Sequence, residues 1–248
     1  MKVTIITVTF NSGYFLEQCI QSVIAQNYPN IEYIIVDGGS TDNTLDIINR
    51  YQSFISKWIS EKDKGMYDAI NKGIQMATGD VIGALNSDDF FASNDVIDAI
   101  VNTFDRCGVA AVYGDIVYVH PMDTGKVVRQ WNGGVYNRKN INFGWMPAHP
   151  SFYIKKSILS QGGNYDSNFT SAADYEFMTR YLYYHKISAQ YLPKLIVTMR
   201  TGGMSNQSLY KRLLANRQDY LAMKKNKIPF PWVVAFLKPV RKIPQFSI

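Results

Sequence analysis

The stretch IEYIIVDGGSTDNT at residues 31–44 decides the fold. It begins with seven residues rich in isoleucine and valine, a short apolar run that is typical of a buried strand. Asp37 ends this run, two glycines form a turn, and the polar residues at 40–44 are of the types that cap and begin helices. We therefore predict a strand that turns directly into a helix.

The same alternation of strand and helix continues on both sides of this stretch. Residues 2–10 (KVTIITVTF) predict an earlier strand, and apolar residues at helical spacing over 16–24 predict the helix that follows it. A second helical stripe over 66–77 leads into a further strand at 81–85. Such alternation implies right-handed βαβ units, so we expect an α/β protein with a Rossmann-like, mostly parallel central sheet flanked by helices.

The second half of the chain has a different pattern. Residues 109–119 predict another strand, residues 132–154 are rich in loop-forming and aromatic residues, and residues 173–184 predict a helix. No linker rich in proline, glycine or serine separates the two halves, and no internal repeat is present. We therefore expect a single domain over residues 1–248, whose second half builds onto the same sheet.

Composition narrows the class of protein. The chain has 248 residues, 46% of them hydrophobic, which can bury a sizeable core. Its net charge of +6 would suit nucleic acid, a membrane surface or a phosphate-rich small molecule, but it carries no zinc-finger or RNA-binding signature, so we expect no nucleic-acid partner. Signal-peptide features and apolar runs of about 20 residues are both absent from the sequence. With Cys19 and Cys107 far apart, we expect buried thiols and a cytoplasmic location.

Polar residues follow each predicted strand of the first half. Thr9 and Asn11 end the first strand, Asp37 ends the second, and Asn86, Ser87, Asp88 and Asp89 end the strand at 81–85. In parallel sheets, ligands bind beyond the carboxyl ends of the strands. A solvated turn would explain the adjacent Asp88 and Asp89, but two carboxylates after a strand also suit Mg²⁺ or Mn²⁺ together with substrate phosphates. Neither a dinucleotide-binding GxGxxG nor a P-loop motif is present in the sequence.

Four motifs in order resemble a known family. TVTFN (7–11), VDGGSTDNT (36–44), EKDKGMYDAINKGIQMATGD (61–80) and LNSDD (85–89) resemble the nucleotide-sugar-binding half of an inverting glycosyltransferase of family 2, with the GT-A fold. The resemblance covers about residues 3–180. It implies transfer of a sugar from a nucleoside-diphosphate donor, assisted by Mn²⁺ or Mg²⁺. We expect the single domain to consist of a nucleotide-sugar-binding half at 1–108, an acceptor half at 109–210 and a C-terminal helical tail at 211–248.

The resemblance also implies site residues. The Asp-x-Asp motif of the family falls on residues 86–88, with Asn86 in place of the first acid, and Gly38 stands where many members have an acid near the nucleotide base. The implied metal ligands are Asp88, Asp89 and His149, although a lone histidine is often structural. The implied donor-binding residues are Thr9, Asn11, Asp37, Asp63, Gly65, Asn71, Asn86, Ser87 and Asp88.

The family places its catalytic base in a Glu-Asp pair at the start of a helix in the second half. The segment SAADYEFMTR at 171–180 resembles that place, with Asp174 at the position of the base and Ala173 where glutamate is usual. The base would take the proton of the acceptor hydroxyl. An acid in the first turn of a helix also has a purely structural explanation, because it stabilises the helix dipole.

Several features of the second half suit an acceptor. Residues 200–206 (RTGGMSN) are either a loop that closes over the donor phosphates or an ordinary turn. Trp131, Trp145 and Tyr153 could stack on sugars, although each taken singly is expected to be core. The tail at 211–246 mixes lysine and arginine with tryptophan and phenylalanine, which favours peripheral contact with the inner face of a membrane. The alternative is a packed helix with a charged outer face.

Taken with the sequence patterns, the resemblance implies an inverting, metal-dependent glycosyltransferase of surface polysaccharide biosynthesis. Its donor would be a nucleoside-diphosphate sugar, with a UDP-sugar favoured and guanine or thymine left open, and its acceptor a saccharide, free or polyprenyl-linked. One alternative is a nucleotidyltransferase, but residues 11–18 (NSGYFLEQ) lack the glycine-rich basic loop that it would need. A second alternative, suggested by Asn86 and Ala173, is a catalytically impaired nucleotide-sugar-binding protein.

Overall fold

The computed structural model describes residues 1–202, 209–241 and 243–246. Within these ranges nine strands form one sheet with helices around it. The strands are β1 (Val3–Thr9), β2 (Ile31–Asp37), β3 (Lys57–Ser60), β4 (Val81–Ala84), β5 (Phe90–Phe91), β6 (Ala111–His120), β7 (Asp123–Trp131), β8 (Tyr153–Lys155) and β9 (Ala189–Arg200). The helices are α1 (Leu16–Ile24), α2 (Thr44–Arg50), α3 (Met66–Met76), α4 (Val96–Cys107), α5 (Leu159–Gly162), α6 (Ala173–Thr179), α7 (Leu209–Lys225) and α8 (Pro231–Val240).

The first half is a parallel sheet in the order β3-β2-β1-β4. A helix or a helical turn precedes each of β2, β3 and β4, as the crossover connections between parallel strands require. The register pairs Thr9 with Asp37 and Asp37 with Ser60, so the carboxyl ends of β1, β2 and β3 lie side by side. We call this side of the sheet, together with the end of β4, the carboxyl edge.

The second half extends the same sheet with mixed pairing. Strand β8 runs antiparallel to both β4 and β6, β6 pairs in parallel with β9, and β5 closes the row against β9. Strands β6 and β7 form a hairpin. The second half therefore builds onto the first, and the predicted α/β class with a GT-A-type sheet and flanking helices is confirmed.

The predicted strands at 2–10, 31–37, 81–85 and 109–119 are confirmed, as are the helices over 16–24 and 66–77. Six further elements, β3, β5, β7, β9, α4 and α5, were not predicted individually. Strand β3 is short and no more than half buried, and β7 is mostly exposed, so neither has the continuous apolar run of a central strand.

The core lies on both faces of the sheet. Alternate residues of β1 point to opposite faces, so Ile6 packs in one apolar cluster while Val3 and Ile5 pack in the other. Cys19 is buried in the second cluster as expected, whereas the expectation for Cys107 is wrong, because this thiol is exposed at the end of α4. The described parts of the chain contain no helix with both the length and the apolar character needed to cross a bilayer.

The C-terminal helices pack against the second half. Val234 of α8 is buried, and Lys238 forms a 2.6 Å ion pair with Asp219 of α7 while its ammonium lies 3.6 Å from the ring centre of Tyr175. The outer face of α8 is apolar, with Trp232 68% exposed and Phe236 73% exposed. Helix α8 is thus a packed helix with an apolar outer face, whereas α7 exposes the charged residues Arg217, Lys224 and Lys225.

Candidate functional site

The carboxyl edge is built from turns that bond to one another. Thr41 donates its backbone N–H to Asn11 Oδ1 at 2.9 Å, and the N–H of Asn11 donates to Ser40 Oγ at 2.8 Å. Asn11 adopts a φ of 48°, a left-handed conformation that asparagine tolerates better than most residues. Ser12 Oγ lies 2.9 Å from Ser87 Oγ, which ties the turn after β1 to the turn after β4. The structure thus brings Asn11 and Ser87 to one edge, as predicted.

Asp37 is buried, and its carboxylate is used within the protein. Its Oδ2 accepts hydrogen bonds from the backbone N–H groups of Gly39 at 3.1 Å and Ser40 at 3.0 Å, and from Ser60 Oγ at 2.6 Å. These bonds set the glycine turn after β2 and join it to β3. Asp37 therefore holds the turn after β2 and the end of β3 in place at the carboxyl edge.

Thr9 ends β1 with an unsatisfied hydroxyl. Its Oγ1 is buried and has no hydrogen-bond partner in the part of the chain that the structure describes. Because leaving a buried polar group unpaired is costly, such an atom is an expected point of contact for a ligand. The donor-binding role of Thr9 stays a prediction, for which this hydroxyl is available.

Asp63 fills the space above Gly38. A Cβ atom added to Gly38 would lie 2.6 Å from Asp63 Oδ2, so the carboxylate occupies the volume that a side chain at position 38 would take. Asp63 Oδ1 accepts the backbone N–H of Gly65 at 2.8 Å, and Gly65, at a φ of 113°, begins α3. The carboxylate of Asp63 therefore lies where a side chain at position 38 would point.

Asp89 is 1% exposed and is held from two sides. Its Oδ2 accepts Asn86 Nδ2 at 2.8 Å, and its Oδ1 accepts the backbone N–H of Arg200 at 3.2 Å. Burial and the neighbouring charge of Asp88 raise the pKa of Asp89 well above its usual range. Asn86 and Asp89 thus lock the turn after β4 onto the end of β9.

Asp88 lies in the same turn but differs in its contacts. Its side chain is half buried, and none of the described residues donates a hydrogen bond to its carboxylate, while its backbone carbonyl accepts the guanidinium of Arg200. Burial raises the pKa of Asp88, and the charge of Arg200 opposes this rise. The arrangement leaves one carboxylate available at the carboxyl edge.

A divalent cation fits this arrangement only together with a ligand. Among residues 1–202, 209–241 and 243–246, no three His, Cys, Asp or Glu side chains come together as a metal site, so Asp88, Asp89 and His149 do not form one by themselves. Mg²⁺ and Mn²⁺ are nevertheless often held by one or two carboxylates and the phosphates of a substrate. The free carboxylate of Asp88 fits that mode of binding.

Asp174 begins α6 on the side of the second half. Tyr67, in the first turn of α3, donates its hydroxyl to Asp174 Oδ1 at 3.1 Å. Tyr67 is only 7% exposed, and burial together with the charge of Asp174 raises the pKa of Tyr67 well above its usual range, so its proton stays on the phenol. Asp174 is half buried. The predicted base is thus hydrogen-bonded directly to a residue in the first turn of α3.

His149 and Asn71 both act on Tyr165. His149 Nε2 lies 2.7 Å from the hydroxyl of Tyr165, and burial lowers the pKa of His149, although the charge of Asp174 opposes this effect. Asn71 donates Nδ2 to the carbonyl of Tyr165 at 2.8 Å and accepts its N–H through Oδ1 at 2.9 Å. The ring of Tyr165 in turn stacks 5.8 Å from that of Tyr67. His149 and Asn71 are therefore placed to brace the pair formed by Tyr67 and Asp174.

The aromatic candidates separate into two groups. Tyr153 is fully buried, and Trp145 is buried with its indole N–H donating to the carbonyl of Gly133 at 2.9 Å, so both are core residues. Trp131, at the end of β7, is half buried and lines a cavity. Of the loop at 200–206, residues 203–206 lie outside the described residues.

Sequence reasoning did not single out Tyr67, Tyr165 or Arg200. Tyr67 lies within a motif that carries the resemblance, but no local signal pairs it with an acid 107 residues away. Arg200 ends β9, and its guanidinium lies 4.7 Å from the ring centre of Phe15 and 5.1 Å from that of Phe90. Phe90 comes close to Arg200 because β5 pairs with β9.

Comparisons with known proteins identify the family of the chain. The family model described as "Glycosyl transferase family 2" matches residues 4–169. An uncharacterized glycosyltransferase of Mycobacterium tuberculosis is 33% identical over 182 residues, which are 72% of this chain and 68% of that protein. A "PGL/p-HBAD biosynthesis glycosyltransferase" of Mycobacterium bovis is 27% identical over 221 residues, 85% of this chain and 82% of that protein.

Solved structures share the fold. Residues 1–349 of S. aureus TarS, in complex with UDP, superpose with a TM-score of 0.71 at 18% identity, covering 90% of this chain but 65% of that one, slightly less than two thirds. The mannosyltransferase PcManGT of Pyrobaculum calidifontis, in complex with GDP-Man and Mn²⁺, gives a TM-score of 0.69 at 17% identity, covering 99% of this chain and 73% of that one. On the family match and the relatives, the chain belongs to glycosyltransferase family 2 and is a glycosyltransferase.

Proposed function

We propose that the chain transfers one sugar from a nucleoside-diphosphate donor to a hydroxyl group of a saccharide acceptor, with inversion at the anomeric carbon. The observation that carries this proposal is the 3.1 Å hydrogen bond between Tyr67 and Asp174. Tyr67 follows the turn of Asp63 and Gly65 at the carboxyl edge, whereas Asp174 comes from the second half. This one contact joins the donor side of the site to a carboxylate that can accept a proton.

In this mechanism, Asp174 is the general base. The acceptor oxygen attacks the anomeric carbon, the bond from that carbon to the donor diphosphate breaks with its electrons on the departing oxygen, and the acceptor proton moves to Asp174. Tyr67 engages one carboxylate oxygen, which orients the carboxylate and leaves the other oxygen for the acceptor. His149 and Asn71 support this geometry through Tyr165.

On the donor side, Asp88 is the residue that would hold Mn²⁺ or Mg²⁺. The ion, when bound, stabilises the negative charge that develops on the departing diphosphate. Asp89 and Asn86 keep the turn of Asp88 in place, because their side chains bond to each other and to the end of β9. We assign Thr9, Asp63 and Gly65 to donor contact, and Asn11, Asp37 and Ser87 to shaping the turns around it.

We favour a UDP-sugar as the donor. The fold is similar to that of TarS, which was solved in complex with UDP, although it is also similar to that of PcManGT, which was solved with GDP-Man. In this chain Gly38 takes the place of the acid that many members of the family carry near the nucleotide base, and the carboxylate of Asp63 lies beside it. Because this difference could change which nucleotide base is bound, the test uses a panel of nucleotides.

The acceptor is proposed to be a saccharide of surface polysaccharide biosynthesis, free or lipid-linked. The support for a lipid is the outer face of α8, where Trp232, Phe236 and Val240 are exposed at helical spacing. Residues 224–246 contain lysine and arginine but no aspartate or glutamate. Such a face suits peripheral contact with an anionic membrane surface on the cytoplasmic side.

The test is hydrolysis of a panel of nucleotide sugars with Mn²⁺, Mg²⁺ or EDTA. We expect slow hydrolysis of one donor that is lost with EDTA and in Asp88→Asn, and is retained in the exposed surface control Asp105→Asn. With an acceptor present, Asp174→Asn should reduce transfer by about 10²–10⁴-fold while nucleotide binding persists.

Two results would support other functions. Nucleotide binding that is indifferent to metal and to Asp88, without turnover of any donor, would favour a binding protein. Formation of a nucleotide sugar and pyrophosphate from a nucleoside triphosphate and a sugar 1-phosphate would favour a nucleotidyltransferase. Either result would contradict the proposed transfer.

A further inference from the structure

A cavity lies in the second half of the chain, between β7 and the C-terminal tail. Its volume is about 310 Å³, at the lower end of the range of about 300–1,000 Å³ that small-molecule sites occupy. Three parts of the chain form its walls: residues 131–135 at the end of β7, the segment 140–146, and the tail residues Lys238, Arg241 and Gln245. At Gly144, a Cβ atom would lie 2.9 Å from the backbone of Lys238, so α8 packs directly on this wall. The C-terminal tail therefore completes the cavity.

The lining of the cavity combines aromatic, amide and basic groups. Trp131 contributes an indole ring, Asn132 and Asn140 contribute side-chain amides, and Lys238 and Arg241 contribute positive charge. None of its lining residues in the described part of the chain is acidic. Indole rings suit the apolar faces of sugars, while amides suit their hydroxyl groups, so the lining chemistry is that of a saccharide site with an anionic substituent.

The two cations differ in what they can bind. Lys238 is already paired with Asp219 at 2.6 Å. Arg241 is exposed at the end of α8 and forms no ion pair with any of the described residues. A guanidinium without a carboxylate partner at the mouth of a cavity is a suitable ligand for phosphate, because it can bind two oxygens at once.

Arg129 joins the cavity wall to β6 and to the tail. Its guanidinium lies 5.1 Å from the ring centre of Trp131 and 4.6 Å from that of Tyr118. Gln245 of the tail accepts Arg129 Nε at 2.8 Å, which holds the guanidinium in place. Burial raises the pKa of Tyr118 to about 12; Arg129 opposes this rise, and the charges of Asp89 and Asp174 add to it.

From this arrangement we propose that the cavity is an acceptor subsite for a phosphate-bearing saccharide, with Trp131 against the sugar and Arg241 on the phosphate. The proposal rests on the proposed function, since it assigns the acceptor of the same transfer. The phosphate could be that of a lipid-linked sugar or of a soluble sugar phosphate. Both present the same group to Arg241, and the experiment distinguishes them.

The experiment is a fluorescence titration of the whole chain, because Trp131 and Trp145 are two of its four tryptophans and both line the cavity. A Trp232→Phe background removes the exposed tail indole, which would respond to alkyl chains. For glucose, galactose and N-acetylglucosamine, three probes are compared: the 1-phosphate, its octyl phosphodiester and the neutral octyl glycoside. UDP and GDP with Mn²⁺ are titrated in parallel.

We expect a phosphorylated probe to bind at least about tenfold more tightly than the matching neutral glycoside, a preference that weakens with salt. Arg241→Gln should remove most of this preference without changing nucleotide binding, and the matched control Arg106→Gln, on the exposed end of α4, should not. An advantage of the octyl diester over the 1-phosphate indicates a lipid-linked acceptor, and equal binding indicates a soluble sugar phosphate.

Two outcomes would overturn the subsite. One is equal binding of neutral and phosphorylated probes, or a preference that survives Arg241→Gln. The other is no binding of any probe by a protein that still binds a nucleotide with Mn²⁺, which would leave the proposed function intact. Failure to bind nucleotides and probes alike would contradict the proposed function and the subsite with it.

Discussion

At the scale of single residues, the contact that most sharply defines the site is the hydroxyl of Tyr67 on Asp174. In Tyr67→Phe the carboxylate of Asp174 keeps its position in α6 but loses the hydrogen bond that orients it. We expect kcat, measured in steady-state transfer assays, to fall about tenfold, consistent with loss of one hydrogen bond to a charged group.

The matched control is Tyr153→Phe. The hydroxyl of Tyr153 is buried and has no partner among the described residues, so its removal should leave both activity and stability close to those of the wild type. If Tyr67→Phe kept the kcat of Tyr153→Phe and of the wild type, the proposed role of Tyr67 would be contradicted.

A second prediction at this scale concerns Gly38 and Asp63. In Gly38→Ala the new methyl group would displace the end of the Asp63 side chain, a flexible group that can move, so the melting temperature should change little. Nucleotide affinity should fall several-fold because the carboxylate leaves its place.

Isothermal titration with the preferred nucleotide measures this effect in both single variants and in the double variant with Asp63→Ala. If both substitutions act through the same carboxylate, the double variant should bind no more weakly than Asp63→Ala alone. Additive losses would show that Gly38 contributes to binding independently of Asp63.

At the scale of elements, α8 has two faces with different tasks. Its inner face carries Val234 and Lys238, which pack on the second half, and its outer face carries Trp232 and Phe236. We expect the chain to sediment with vesicles that contain anionic lipid. The double variant Trp232→Ser, Phe236→Ser should remain largely in solution, because it lacks the two apolar side chains whose burial in the membrane removes apolar area from water.

The control for this prediction is Phe54→Ser, a change of an exposed phenylalanine in the helical turn between α2 and β3. It should sediment like the wild type. Sedimentation of the double variant to the same extent as the wild type would contradict membrane contact through α8.

At the same scale, the side chain of Glu32 joins β1, β2 and the turn after α3. Glu32 is buried and accepts hydrogen bonds from Thr4 Oγ1, Thr78 N and Thr78 Oγ1, each at 2.7 Å, with Lys2 and Lys57 within 3.4 Å. Burial alone would raise the pKa of Glu32, but these hydrogen bonds outweigh it and lower the pKa to about 2. Glu32 thus ties the amino ends of two central strands together.

At the scale of the whole molecule, Glu32 predicts how stability depends on acid. Its pKa is depressed in the folded chain, so its stabilisation is present above the unfolded value near 4.5 and is lost as the pH falls from there toward 2. Glu32→Gln should lower the free energy of unfolding by roughly 2 kcal/mol at neutral pH, and flatten this part of the pH dependence.

Urea unfolding between pH 3 and pH 7 checks this prediction, since a midpoint can be compared at each pH. The control is Glu61→Gln, because Glu61 is exposed and pairs only with Lys72 at 2.8 Å. An unchanged pH dependence in Glu32→Gln would mean that another acid carries the acid sensitivity.

The arrangement of the first half could be predicted because its signals are local. Strands β1, β2 and β4 and helices α1 and α3 are encoded by apolar period and by capping residues within each segment. Parallel strands end at one edge, so Thr9, Asp37 and Asp88 could be placed there before any coordinate was known. Strands β7 and β9 were not predicted, because their stability comes from pairing with β6 rather than from an apolar run of their own.

The sequence alone determined the βαβ sheet, the family and the edge where the polar residues gather, because contiguous residues carry those patterns. Only the tertiary structure decided which polar groups remain available there. Asp37 and Asp89 are engaged by neighbours, whereas Asp88 and Thr9 Oγ1 are left without such partners in the described chain. It also decided that Tyr67 meets Asp174 across 107 residues and that the tail completes a cavity. Those contacts depend on how distant segments pack, and no local pattern of residues encodes them.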